Sequence, residues 1–268
     1  MKIGFLITAR LKSSRLPLKV IMDLNGKTVI ERLIDRVKEI QNLSEIVLCT
    51  STNPQDRPLI ELAKQNDIYY FCGDEVDVLK RLCDAGRFFE LDYFIGITAD
   101  NPLISIYYSN RIVDEIKRGN YDFIEVEGLP IGSATYGMNM KALQTICEIK
   151  DLVDTEIWGP LIRRPEIFSI KTIRAKGKIN RPNLRFTLDY VEDYELMRTI
   201  YNQVPFKMVL NLIDVIDYLE DNQTIAGINE NCVQLDLDDA VRLKIDEYYG
   251  RNHHKIMEIK KRIYETYE

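Results

Sequence analysis

The sequence has no apolar run approaching the roughly 18 residues that a membrane span needs. Its first apolar stretch, Ile3-Gly4-Phe5-Leu6-Ile7, is too short for a secretory signal and has no small-residue cleavage site. There is no Cys-x-x-Cys pair. The five cysteines, Cys49, Cys72, Cys83, Cys147 and Cys232, are odd in number, widely spaced and mostly set among apolar neighbours. Reduced thiols in a cytoplasmic protein are expected, with no disulfide and no zinc site. Only two histidines occur, and His253 and His254 are adjacent, about 100° apart if helical, so they do not address one metal and read as surface residues. Basic residues are outnumbered, 36 against 42 acidic, for a net charge of −6. No global positive field draws the chain to a nucleic-acid polymer or an anionic membrane, and any anion site has to be a local patch. With 13 Gly, 9 Pro, no Gly/Ser-rich linker and no internal repeat, low-complexity and collagen-like classes are excluded as well.

What is there is an ordinary globular composition, 46% hydrophobic and 29% charged over 268 residues, enough for one large domain or a domain with an appendage. Short apolar runs at 3–8, 45–50, 69–71, 93–98 and 123–126 read as strands. Amphipathic stretches at 29–38, 59–65, 76–90 and 110–117 read as helices between them. That alternation predicts an α/β fold of three layers, a mostly parallel mixed sheet covered on both faces. Thr28-Val29-Ile30-Glu31 marks one helix start with a capping-box pattern. Further on, helices are expected at 140–149, 152–162, 191–203 and 209–219, and strands at 169–173 and 185–188. From about residue 224 the pattern changes to a helical, charge-mixed tail in which Ile256, Ile259, Ile263 and Tyr267 share a stripe. Residues 1–223 are therefore expected to form the main domain and 224–268 a C-terminal helical extension. The stripe packs either on that domain or on a second subunit, which leaves a homodimer open.

In open α/β sheets ligands bind beyond the carboxyl ends of the strands. After the first strand comes Ala9-Arg10-Leu11-Lys12-Ser13-Ser14-Arg15-Leu16-Pro17-Leu18-Lys19, with four cations, and no acidic residue precedes Asp23. It contains neither GxGxxG nor GxxxxGK[ST], so side-chain cations, not a glycine nest, would have to hold phosphates; otherwise it is a solvated basic loop. The fourth strand ends in Thr98-Ala99-Asp100-Asn101-Pro102, which offers an oxygen ligand to a hard cation or an Asx turn. Asp189, after residues 185–188, is either a second such ligand or, with Glu192, an N-cap. Residues 163–185 hold Arg163, Arg164, Lys171, Arg174, Lys176, Lys178, Arg181 and Arg185 against Glu166 alone, either to recruit an anionic acceptor or as a solvated face.

Taken together, Ala9-Arg10-x-x-Ser13-Ser14-Arg15-Leu16-Pro17-x-Lys19, Asn25-Gly26-Lys27, residues 49–53, Gly73-Asp74-Glu75-x-Asp77-Val78-Leu79-x-Arg81, residues 97–104 and Leu184-Arg185-Phe186-Thr187-Leu188-Asp189-x-x-Glu192-Asp193 resemble the spore coat polysaccharide biosynthesis protein F family. That family is related to the cytidylyltransferases that make CMP-KDO and CMP-sialic acids. The resemblance spans roughly residues 2–205. It implies a Rossmann-like, glycosyltransferase-A-like nucleotidyltransferase that couples the cytidylyl group of CTP to an anionic sugar or phosphorylated polyol, releasing pyrophosphate, for surface polysaccharide biosynthesis. By position, Arg15, Lys19, Asp100 and Asp189 would be catalytic, and Asp100 and Asp189 would hold Mg²⁺. Ala9, Arg10, Ser14, Arg15, Lys19, Thr50, Ser51, Asp77, Arg81 and Thr98 would bind the nucleotide, although Asp74 and Asp77 also suit a helix cap. The chain departs from its relatives at Leu18, where Gly is usual and a left-handed turn is consequently not expected; at Gly96, where Arg is common; and at Ala134 and Tyr136, where an acidic pair is expected. The last departure bears on the acceptor rather than the nucleotide. Two other functions suit such an architecture: a glycosyltransferase, which would need an Asp-x-Asp metal motif at a strand end where the only similar string, Asp74-Glu75-Val76-Asp77, lies at a helix start, and a non-catalytic nucleotide-binding subunit.

Overall fold

The computed structural model describes residues 1–152 and 154–266. Its chain order is β1 (Ile3–Thr8), α1 (Val29–Lys38), β2 (Glu45–Ser51), α2 (Arg57–Gln65), β3 (Tyr69–Gly73), α3 (Val78–Phe88), β4 (Tyr93–Thr98), α4 (Ile106–Arg118), β5 (Phe123–Glu127), β6 (Tyr136–Asn139), α5 (Met140–Ile149), α6 (Gly159–Ile162), β7 (Ile170–Arg174), α7 (Val191–Gln203), α8 (Leu212–Asp221), α9 (Gln223–Ala226) and α10 (Asp239–Glu265). The seven strands form one sheet in the order β3-β2-β1-β4-β6-β5-β7, in which β6 runs antiparallel to both neighbours and the other pairings are parallel.

Strand β1 lies in the interior of the sheet, beside the central β4, and is apolar on both faces, as a doubly covered parallel strand must be. Phe5 and Ile7 face one layer, where Ile30 and Leu33 of α1, Leu59 of α2 and Ile112 of α4 pack. Leu6 faces the other, with Leu79 and Leu82 of α3 and Leu143 and Ile146 of α5. The Thr28 capping box starts α1 as expected: Glu31 N–H donates to the Thr28 hydroxyl, and Thr28 N–H donates to Glu31 Oε2 at 2.7 Å. Because the chain builds β2 and β3 on one side of β1 and then returns to place β4 on the other, β1 and β4 flank a topological switch point. Such a crevice is where ligands bind in this class of sheet.

Two expectations change, and one strand was not expected. The strand expected at 185–188 is an extended segment with a single bridge, Ile131 to Arg185; Phe186 N–H donates to Ile131 O at 2.7 Å and Leu188 N–H to Asp100 O at 2.9 Å. Its partner cannot continue a ladder, because Pro130 lacks a donor and Gly132 adopts φ +87°. A Cβ at Gly132 would lie 2.6 Å from Thr187 N, so only glycine permits this approach. The helix expected over 152–162 is reduced to α6, and Val153 lies outside the described residues. Strand β6 had no sequence signature, since Gly137 interrupts its four residues.

The tail forms α10, capped by Asp238, whose carboxylate accepts from Ala240 N–H at 2.9 Å. Ile245, Tyr249, Ile256 and Ile259 pack into the same cluster as α5 and α6, so this helix packs against those elements of the same chain; Tyr267 of the expected stripe lies outside the described residues. Among the described residues no helix is long and apolar enough to cross a membrane.

Candidate active site

The loop after β1, the end of β4 and the segment before α7 meet at one point. Lys19 Nζ donates to Asp100 Oδ2 and, at 2.9 Å, to Asp189 Oδ1. Arg15 donates to the same Asp189 oxygen at 2.6 Å, and Arg185 donates to the other at 2.8 Å. Asp100 is oriented in turn by the Thr98 hydroxyl at 2.6 Å and the Asn101 amide at 2.8 Å, and Asn101 also holds the Thr98 carbonyl. Arg15, Lys19, Thr98, Asp100 and Asp189, singled out from separate stretches of sequence, are thus brought together. Leu18 does adopt the left-handed turn, at φ 60° and ψ 16°, with its side chain half exposed. For a non-glycine residue this conformation costs on the order of 1 kcal/mol. The adjoining bonds of Lys19 to two carboxylates, and the Ile21 N–H to Leu18 O bond at 2.9 Å, hold it there.

Burial is the largest influence on Asp189 and pushes its carboxyl up; the hydrogen bond and charge of Lys19, with Arg15 and Arg185, outweigh it and hold the group below the usual carboxylate range. For Lys19, burial pulls the ammonium down, but Asp100 and then Asp189 outweigh it and hold it above its ordinary value. Both groups are therefore charged at neutral pH.

The cap alternative for Asp189 fails on geometry. Asp193 caps this turn instead: its Oδ2 accepts from Asp189 N–H at 2.9 Å and Tyr190 N–H at 3.1 Å. Asp193 Oδ1 accepts from Arg185 at 3.0 Å and from Asn229 at 2.8 Å, so the buried Arg185 links Asp193 to Asp189. Asn101, Arg185, Asp193 and Asn229 went unrecognised as a supporting set. The spacing Arg185-x-x-x-Asp189-x-x-x-Asp193 was the available signal.

The remaining candidates lie beside the ends of β2 and β3. Ala9 is buried, its N–H donating to Cys49 O at 3.1 Å, whereas Ser14 is exposed. Arg10 donates to Glu75 O at 2.9 Å and pairs with Glu156 at 3.3 Å. Ser51 donates to Asp56 at 2.5 Å, and Asp56 accepts from Leu11 N–H at 2.7 Å, tying the basic loop to β2. Arg81 is fully buried. One nitrogen donates to Asp74 O at 2.5 Å, while its Nε and Nη2, and the Thr50 hydroxyl, have no hydrogen-bond partner among the described residues. Burial pulls the Arg81 guanidinium down, and the nearby Arg10 charge adds to this. Asp77 caps α3 by accepting from Lys80 N–H at 3.0 Å, and it also pairs with Lys150. Asp74 accepts from Val76 N–H at 3.0 Å and Asp77 N–H at 2.8 Å. The acidic string of a metal-dependent glycosyltransferase is thus engaged in capping.

Two carboxylates on one cation form a hard-oxygen pair, and among the described residues no group of three or more metal-binding side chains occurs. Such a pair suits Mg²⁺, which takes one or two carboxylates and completes its shell with phosphate oxygens and water.

The chain is 29% identical over 237 residues to an uncharacterized protein of Methanocaldococcus jannaschii, covering 87% of this chain and 97% of that one. It is 24% identical to the spore coat polysaccharide biosynthesis protein SpsF of Bacillus subtilis, over 84% and 97%. Among solved structures, a cytidylyltransferase from Leptospira borgpetersenii superposes with a TM-score of 0.79 at 23% identity, covering 88% of this chain and all of that one. A CMP:2-keto-3-deoxy-manno-octonic acid synthetase complexed with CTP superposes at 0.61 and 16% identity, over 76% and 99%. A family model described as Cytidylyltransferase matches residues 5–223, and the chain belongs to that family.

Proposed function

We propose that this protein transfers the cytidylyl group of CTP to a phosphorylated or acidic sugar-type acceptor in surface polysaccharide biosynthesis, with release of pyrophosphate. The observation that carries the reading is the convergence of Lys19, Asp100 and Asp189 at the switch point, with Arg15 on the same carboxylate. Asp100 and Asp189 would hold Mg²⁺, which when bound withdraws charge from phosphate oxygens. Lys19 and Arg15 exchange carboxylate partners for triphosphate oxygens and offset the charge that grows on the departing pyrophosphate. Fixed charges of this kind supply most of the rate in such a transfer. Arg185, locked on Asp193, keeps Asp189 aimed while those partners exchange. Arg10, Ser14, Thr50, Ser51 and Arg81 would line the nucleotide side, whereas the Asp77 carboxylate is engaged by Lys80, Thr155 and Lys150. The unpartnered donors of Arg81 and the Thr50 hydroxyl favour this, because a buried unsatisfied polar group costs about 1–3 kcal/mol and a nucleotide's oxygens or ring nitrogens would relieve it. An acceptor phosphate is already an oxyanion and needs no base.

Calorimetric titration of the protein with CTP, UTP, GTP and ATP in Mg²⁺ tests the assignment. CTP is expected to bind at least about ten-fold more tightly than the others, a difference of about 1.4 kcal/mol. Equal or absent heats for all four contradict it.

A further inference from the structure

A cleft of about 630 Å³ lies beside residues that support the Lys19 centre and the basic loop. Gln234, in its wall, accepts from Arg185 at 2.6 Å, and Arg185 holds Asp189. Glu156, also in the wall, pairs with Arg10 of the basic loop. The cleft is therefore one residue removed from the carboxylate centre and one from the nucleotide side, the position an acceptor has to occupy.

Its floor is aromatic. The rings of Tyr136 and Trp158 meet edge to face at 4.8 Å, and Phe123 lies 5.9 Å from the first and 6.1 Å from the second. Tyr136 is fixed by the sheet: it pairs with Gly96 across β4 and β6, and a Cβ at Gly96 would fall 2.3 Å from its hydroxyl. The absence of a side chain at 96 thus makes room for the ring. Around the floor every charged lining residue is already neutralised. Arg163 bonds Glu125 at 2.9 Å, Arg242 bonds Asp236 at 2.8 Å and Arg164 pairs with Asp246.

We infer that this cleft holds the body of the acceptor as an uncharged, polyhydroxylated ring, so that the substrate is a phosphomonoester of a neutral monosaccharide. The inference rests on the cytidylyltransferase reading above and names its acceptor class. A sugar ring presents polarised C–H groups to the negative faces of aromatic rings, and its hydroxyls suit the planar carboxylates and guanidinia of the wall. A carboxylate on the ring would instead need a cation, and Arg163, Arg164 and Arg242 each already face an acid in a wall that also holds Glu156. In the reaction an oxygen of the acceptor phosphate forms a bond to the α-phosphorus of CTP. The bond from that phosphorus to the α,β-bridging oxygen breaks, and pyrophosphate leaves with the electron pair; no proton is transferred.

Trp158 is the single tryptophan of the chain, so its emission reports on this cleft alone. The test is fluorescence titration of the protein, saturated with Mg²⁺ and unreactive α,β-methylene CTP, with glucose, galactose and mannose 1-phosphates, 3-deoxy-manno-octulosonate, N-acetylneuraminate and glycerol 3-phosphate. At least one aldose phosphate is expected to give a saturable change, and the two keto-acids and the ringless phosphate none. With that aldose phosphate and CTP as substrates, Trp158→Leu is expected to raise the acceptor KM about ten-fold while the KM for CTP moves by less than about two-fold. Saturation by a keto-acid, an equal response to glycerol 3-phosphate, or no response to any aldose phosphate overturns the inference. Calorimetry of the same samples separates the two levels: if the nucleotide analogue binds, such a result removes only the acceptor class, and if it does not bind, the reading beneath it falls too.

Discussion

Asp189→Asn is expected to lower turnover by about 10²–10³-fold, the range seen when one preorganised electrostatic group is removed from an active site. The size of asparagine is nearly that of aspartate, so the loss reports charge. Asp189 accepts from Lys19, Arg15 and Arg185, and a neutral amide satisfies three cations poorly. The variant should fold, with a stability loss of about 1–3 kcal/mol, read as a lowered melting temperature. It should also need more Mg²⁺ to reach its own maximal rate. Because Asp193 caps the turn, loss of a cap does not account for a deficit at position 189. Undiminished turnover at limiting Mg²⁺ contradicts this role for Asp189.

Lys19→Met leaves two carboxylates facing each other without the ammonium that joins them. CTP affinity is expected to fall about ten-fold or more, since one charge-assisted contact is worth about 1.5–3 kcal/mol. Stability should fall as well, and Mg²⁺ without nucleotide should restore it more in the variant than in the wild type. The pH dependence has a definite sign. Asp189 is held low in the fold, so its contribution is full above its unfolded value near 3.9 and is lost as pH falls through the folded value. Lys19 is held high, so its contribution is full below its unfolded value near 10.4 and is lost as pH rises through the folded value. The gap in melting temperature between wild type and variant should therefore be flat from about pH 5 to about pH 9 and shrink below about pH 4. A gap that varies strongly between pH 6 and 8 is incompatible with this pairing.

The frame of the fold was legible because its signals are local. Apolar runs such as Ile3–Thr8 and the Thr28 to Glu31 box state their own structure, and helix α7 occupies the residues its periodicity indicates. What was not legible depends on partners distant in the chain. Residues 185–188 have strand-like composition, but their partner contains Pro130 and a left-handed Gly132, and nothing in the segment itself records that. Likewise Leu18 gives no local hint of positive φ; the turn is held by Lys19 reaching residues 81 and 170 positions away. In the site, the four-cation loop and the carboxylates Asp100 and Asp189 were singled out from charge and from the family resemblance, and the fold brings Lys19, Asp100 and Asp189 together. Asp77 illustrates the opposite difficulty, because a motif residue with an evident charge spends that charge on a helix cap and on Lys150. Gly96 and Tyr136 stood out only as separate departures, because a missing side chain and a tyrosine 40 residues later acquire joint meaning only when β4 and β6 pair.

The most direct test of the central claim is pyrophosphate release from CTP in Mg²⁺, measured with a panel of sugar phosphates and acidic sugars for the wild type, Asp100→Asn and Asp189→Asn. The account predicts acceptor-dependent release by the wild type with CTP and about 10²–10³-fold slower release by both variants at equal CTP saturation. Release that is independent of acceptor, or that survives both substitutions unchanged, would contradict it.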